Sequence, residues 1–137
     1  MPETMSILDL TDYDVNDSKE PVVADADEEA ELQIVAVKMD EDKNGAPYIL
    51  PRFEIVDDPY AKEFTRFFRL PNKEMNEKQL NTAKNALKKF GEAFDIDFTG
   101  QMDINDMVGK RGWAILGVSE DEEYGEQNFV KRFTLGS

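Results

Sequence analysis

The chain has 137 residues, thirty carboxylates against sixteen cations for a net charge of −14, and neither cysteine nor histidine. That length suits one domain able to bury a core. The missing residue types exclude disulfides, thiolate nucleophiles, imidazole bases and zinc held by thiolate or imidazole, leaving carboxylates, Lys, Tyr and a hard metal such as magnesium for any catalysis.

Nine Phe, one Trp and 40% hydrophobic residues fit a folded soluble protein. No run approaches the apolar length of a membrane span and no signal peptide opens the chain, so a reducing, cytoplasmic setting is expected. The charge is unevenly placed. Residues 1–31 hold eleven acids and one base, Lys19, whereas the remainder holds nineteen acids and fifteen bases. The folded part is therefore only mildly acidic.

Residues 1–30 read as an acidic, flexible N-terminal segment, ending in the dense like charge of Asp25-Ala26-Asp27-Glu28-Glu29. Ile7, Leu8, Leu10, Tyr13 and Val15 are interspersed among its acids, a pattern found both in solubilising tails and in docking motifs. Residues 31–137 are expected to form the domain. Residues 32–38 (LQIVAVK) alternate and are β-branched, predicting a strand. Asn44-Gly45 marks a hairpin turn into a second strand at 48–56 (YILPRFEIV), with Pro51 implying an edge or bulge position. After Asp57-Asp58-Pro59, residues 64–70 (FTRFFRL) predict a third strand.

Asn76 and Gln79 have capping-box spacing, and Leu80, Ala83, Leu87, Phe90 and Phe94 share one face. A helix is predicted over 76–90, stopped by Gly91. Residues 104–109 read as a short turn. A fourth strand over 112–118 (GWAILGV), an acidic hairpin tip and a fifth strand over 128–135 complete the chain. Three strands, a helix and two strands is the order of the five-stranded OB-fold barrel, a mostly β class with one helix; other small α+β domains share that order.

Period two separates the strand faces. Ile49, Phe53 and Ile55 read as buried, leaving Tyr48, Arg52 and Glu54 outward. Phe64, Phe68 and Leu70 leave Thr65, Phe67 and Arg69 outward, while Arg66 shares the buried parity. Trp113 lies opposite Ala114, Leu116 and Val118. The last strand is ambiguous, since Phe129 and Phe133 share parity with Lys131 and Val130 with Arg132; the two Phe are expected in the core. Tyr48, Arg52, Arg66, Phe67, Arg69, Trp113, Lys131 and Arg132 are the candidate nucleic-acid contacts, because single strands bind through aromatic stacking at ~1–3 kcal/mol per base and through cations on phosphates. For each aromatic taken singly, core use is the commoner fate, with Phe67 and Trp113 covering a second small core under the helix or the N-terminal segment; the combination over four strands favours the nucleic-acid reading.

Two motifs carry less. Asp40-x-Asp42-x-Asn44-Gly45 matches the opening of a calcium-binding EF-hand loop, but Pro51 occupies the position of the required bidentate Glu, and strands flank it. Glu41-Asp42-Lys43 resembles a fragment of a metal-dependent nuclease site. No phosphate-loop or dinucleotide motif is present.

Residues 52–57 with Tyr60 and FTRFFRL, the helix running into Val108-Gly109-Lys110, and residues 113–118 leading through Tyr124-Gly125 to 128–133 resemble phage and prophage OB-fold single-stranded-DNA-binding proteins, including a phage-specific family long catalogued as a domain of unknown function. The resemblance spans about residues 32–135. It implies a non-catalytic protein without cofactor that coats single-stranded DNA in replication or recombination, in the cytoplasm of an infected bacterium. Binding would fall on Arg52, Phe67, Arg69, Trp113 and Lys131. Such proteins usually carry a partner-recruiting acidic tail at the C-terminus; here the acidic segment is N-terminal and would be the one to meet replication or recombination proteins. An acidic DNA mimic binding a basic host protein, and a small magnesium nuclease, are the competing readings.

Overall fold

The structure, a computed structural model, describes residues 6–136. It is mostly β with one helix. The strands are β1 (Glu29–Glu41), β2 (Pro47–Ile55), β3 (Phe64–Thr65), β4 (Phe68–Arg69), β5 (Arg111–Asp121) and β6 (Gly125–Thr134), with helix α1 (Glu77–Phe94) between β4 and β5. All strand pairs are antiparallel and run β3-β2-β1-β5-β6, with β4 also paired to β2.

The predicted third strand is split into β3 and β4, and Pro51 is the cause. Arg52 faces Thr65 and Tyr48 faces Arg69, so one register continues across the gap. Arg66 N–H donates to the Pro51 carbonyl at 3.1 Å, but Pro51 has no N–H to return the bond. The ladder therefore lapses at Arg66 and Phe67 without losing register.

Two bulges change the face parity. One extra residue, Val35, sits in β1 between the Ile34–Phe53 and Ala36–Arg52 pairs, so the inward set passes from Ala30, Leu32 and Ile34 to Val37. The other is Lys131 in β6, between the Ile115–Arg132 and Leu116–Val130 pairs. It resolves the ambiguous parity of that strand. Phe133 and Val130 both face the core, and Phe129 does not.

The core lies between the sheet and α1 and is largely aromatic. Phe68 stacks on Phe90 with centroids 4.7 Å apart, Phe53 meets Phe90 edge-on at 6.0 Å, and Phe133 lies 5.3 Å from Phe90. The predicted capping box is present: Asn76 accepts from the Gln79 N–H at 2.8 Å, and Gln79 Oε1 accepts from the Asn76 N–H at 3.0 Å. The helix runs through Gly91 rather than ending there. The C-cap is Asp95 in the left-handed region, and Gly91 gives the returning chain room. A Cβ at Gly91 would stand 2.6 Å from the Ile96 carbonyl oxygen and 3.1 Å from the Phe98 ring.

The expected closed barrel is an antiparallel sheet whose edges, β3 with β4 on one side and β6 on the other, do not pair with each other among the described residues. Residues 22–28 attach near both edges. Val22 N–H donates to the Tyr60 carbonyl at 2.8 Å, and Lys62 N–H donates to Val22 at 2.7 Å, just before β3. Two residues on, Ala24 is held by the Asn128 side chain of β6 through both its N–H and its C=O, each at 2.9 Å. Asp27 N–H donates to Leu116, and Leu116 N–H donates to Glu28. The expected boundary at residue 30 thus falls inside β1, and the segment is tied to the sheet from Val22 onward. No helix among the described residues is long and apolar enough to cross a membrane.

Candidate nucleic-acid interface

The outward face of the sheet carries the candidate residues other than Arg66, and the strand order divides them into two groups. At one end, β2 and the β3–β4 stretch place Tyr48 and Phe67 together, their rings 4.8 Å apart and tilted by 36°. Phe67 is 41% exposed, enough to offer one ring face to a ligand. Arg69 faces Tyr48 across the ladder, and Arg52 stands four residues along β2, facing Thr65. The β1 bulge turns Lys38 to this same face, opposite Leu50. Lys38 and Leu50 were not among the sequence candidates. The signal for Lys38 existed only if the extra residue at Val35 could be anticipated.

The electrostatics of this group are mixed. Arg52 is paired with Glu63 at 3.2 Å and Lys38 with Asp40 at 3.7 Å, both exposed and both easily exchanged for phosphate contacts. Arg69 has no ion pair among the described residues. Arg66 behaves differently from the other candidates. Its guanidinium lies over the Phe68 ring at 4.7 Å and donates to the Phe67 carbonyl. Burial pulls its pKa below the usual value, although a guanidinium keeps its charge. It braces the interrupted strand from the core side.

Trp113, Lys131 and Arg132 form a separate group. Trp113 faces Glu31 on β1, whereas Arg52 faces Ala36, so roughly 15 Å of β1 separates the two positions. Glu29 and Glu31 of β1 lie on that same face. The indole is half-buried, and a Cβ at Gly136 would stand 3.1 Å from its Cδ1. Arg132 is exposed opposite Ile115, two pairs from Trp113 and on the same face. Lys131, at the bulge, is bonded to Asp27 at 2.5 Å, and this contact is the main cause that lowers the Asp27 pKa.

Phe129 corrects the expectation that it belongs to the core. It faces Gly117 and is 38% exposed, its ring covering the glycine so closely that a Cβ there would lie 2.4 Å from Cζ. The Asp40–Gly45 loop, similar in sequence to a calcium loop, is the β1–β2 turn. Asp42 Oδ1 accepts from the Asn44 and Ala46 N–H groups at 2.8 and 3.0 Å, which lowers its pKa, the Ala46 bond contributing most. Gly45 takes φ +81°.

No protein-family model and no curated protein sequence matches the chain.

Proposed function

We propose that this protein binds single-stranded DNA without sequence preference and without catalysis, as a phage-type OB-fold protein of replication or recombination. The observation that carries the reading is the pairing of exposed Phe67 with half-buried Tyr48 on the sheet face, with Arg52, Arg69 and Lys38 on the same face. Unpaired bases stack on such rings whatever their identity, and the cations follow the phosphates. The element order and the resemblance of residues 32–135 to phage single-strand-binding proteins support the OB-fold assignment. An open pairing pattern is compatible with it, since that barrel is partly open.

Within this reading Trp113 and Arg132 are secondary contacts, because Glu29 and Glu31 flank them and Gly136 lies against the indole. The decisive measurement is fluorescence anisotropy of labelled poly-dT and of a duplex at two salt concentrations. Phe67→Ala is expected to weaken poly-dT binding about tenfold, the loss of one stacked base. Trp113→Ala is expected to change it by less. Equal affinity of wild type and Phe67→Ala would remove the aromatic pair from the site.

The acidic-mimic reading draws on the carboxylates Glu29, Glu31 and Glu54 of the same face. It predicts no oligonucleotide binding in the same titration.

A further inference from the structure

A groove of about 650 Å³ runs between the β4 edge and α1. Phe67 forms its wall on the sheet side, so the groove begins where the Tyr48–Phe67 platform ends. Phe68, Met75 and Ala83 supply apolar surface inside it, and Arg66, Arg69 and Lys78 bring three cations against one lining carboxylate, Glu74. None of the three cations has an ion pair among the described residues. Arg66 is held by the Phe67 carbonyl and the Phe68 ring, and Arg69 also feels Asp42, but in a chain with nearly two acids for every base, three cations beside one lining carboxylate mark a place suited to an anion. The volume lies within the range of small-molecule sites.

We propose that this groove is a nucleotide subsite: the bound strand leaves the sheet face over Phe67 and places one nucleotide between β4 and α1. Its base lies against Met75 and Ala83, and its phosphate is shared by Arg69 and Lys78. The inference rests on the reading of the sheet face as a single-strand platform and extends it onto the helix. Lys78 is the informative residue, because it is exposed on the first turns of α1 and away from the sheet.

The test is an anisotropy titration of full-length protein with labelled dT oligonucleotides over a range of salt, together with NMR of the Met75 methyl group. Lys78→Ala is expected to reduce the slope of log affinity against log salt by about 0.7, the loss of one phosphate contact. Thr82→Trp, at an exposed helix position lining the groove, is expected to fill it and weaken binding about tenfold while the melting temperature stays near wild type. The Met75 methyl resonance is expected to shift on addition of DNA. If wild type binds and Phe67→Ala weakens it, but Lys78→Ala keeps the full slope and Thr82→Trp binds normally, the groove is overturned and the platform stands. If no oligonucleotide binds at all, both fall. Contacts between Met75 and Leu8 or Leu10 in the DNA-free protein would assign the groove to the chain's own acidic segment, and that too would overturn the proposal.

Discussion

Asn128 is the buried polar residue on which the attachment of the N-terminal segment turns. It is 4% exposed, donates to the Ala24 and Gly117 carbonyls, and accepts from the Ala24 N–H. An amide side chain is the only small group that can donate and accept in this way at once. Asn128→Leu leaves both backbone groups of Ala24 without partners and is expected to cost roughly 2–6 kcal/mol in urea unfolding, at about 1–3 kcal/mol per stranded group. A loss below about 1 kcal/mol would mean that residues 22–24 reach water instead. Asp42 makes a different kind of contribution: it is half-buried in the turn, and its carboxylate acts by accepting from the Asn44 and Ala46 N–H groups. Its folded pKa lies below the ordinary 3.8. The stabilisation it gives the turn is therefore fully present above that value and is lost as pH falls through the lower folded value. Carboxyl NMR should place the Asp42 midpoint below 3.8, and Asp42→Ala should remove that part of the acid dependence of turn stability.

At the scale of elements, residues 22–28 behave as part of the sheet and residues 6–20 do not. Val22, Ala24, Asp27 and Glu28 all bond to the body, whereas Ile7, Leu8, Leu10, Tyr13 and Val15 are exposed. Removing residues 1–20 is expected to leave the melting temperature within a few degrees of wild type. Removing residues 1–28 is expected to lower it by ten degrees or more, since several backbone bonds and the partner of Asn128 go together. Equal melting of the two truncations would contradict this division. The sequence could not reveal the attachment, because it uses backbone groups and one Asn rather than an apolar pattern. The strands themselves were readable from alternation, and α1 from its capping box and apolar stripe. The bulges at Val35 and Lys131 were not, since an inserted residue erases the parity on which a face assignment depends. Tyr48 with Phe67 was legible because β2 and the following stretch are neighbours in sequence and in the sheet. Trp113 beside Lys131 and Arg132 was legible for the same reason, whereas its distance from Tyr48 was not, because nothing local shows that β1, with Glu29 and Glu31, lies between β2 and β5.

Over the whole molecule, net charge and local charge point in opposite directions, and ionic strength decides between them. The total of −14 repels a polyanion at long range, while Arg52, Arg69 and Lys38 attract it at contact. Residues 1–20 carry six carboxylates and one lysine, and the described part of them, residues 6–20, lies outside the named strands. On the proposed reading the segment would oppose DNA in two ways: it would add to the repulsive field, and its carboxylates would compete for the cations of the sheet face. Both are screened, with a Debye length of about 10 Å at 0.1 M salt and about 3 Å at 1 M. Deleting residues 1–20 is therefore expected to tighten poly-dT binding at 20 mM salt by about tenfold, and the gain should shrink steadily as salt rises. Anisotropy titrations of the two proteins at four salt concentrations measure it directly. If the deletion leaves low-salt affinity unchanged or weakens it, the segment neither repels nor competes. A gain that persists at high salt would point instead to displacement of an apolar contact, since the contact of Leu8 or Leu10 with a site is insensitive to screening.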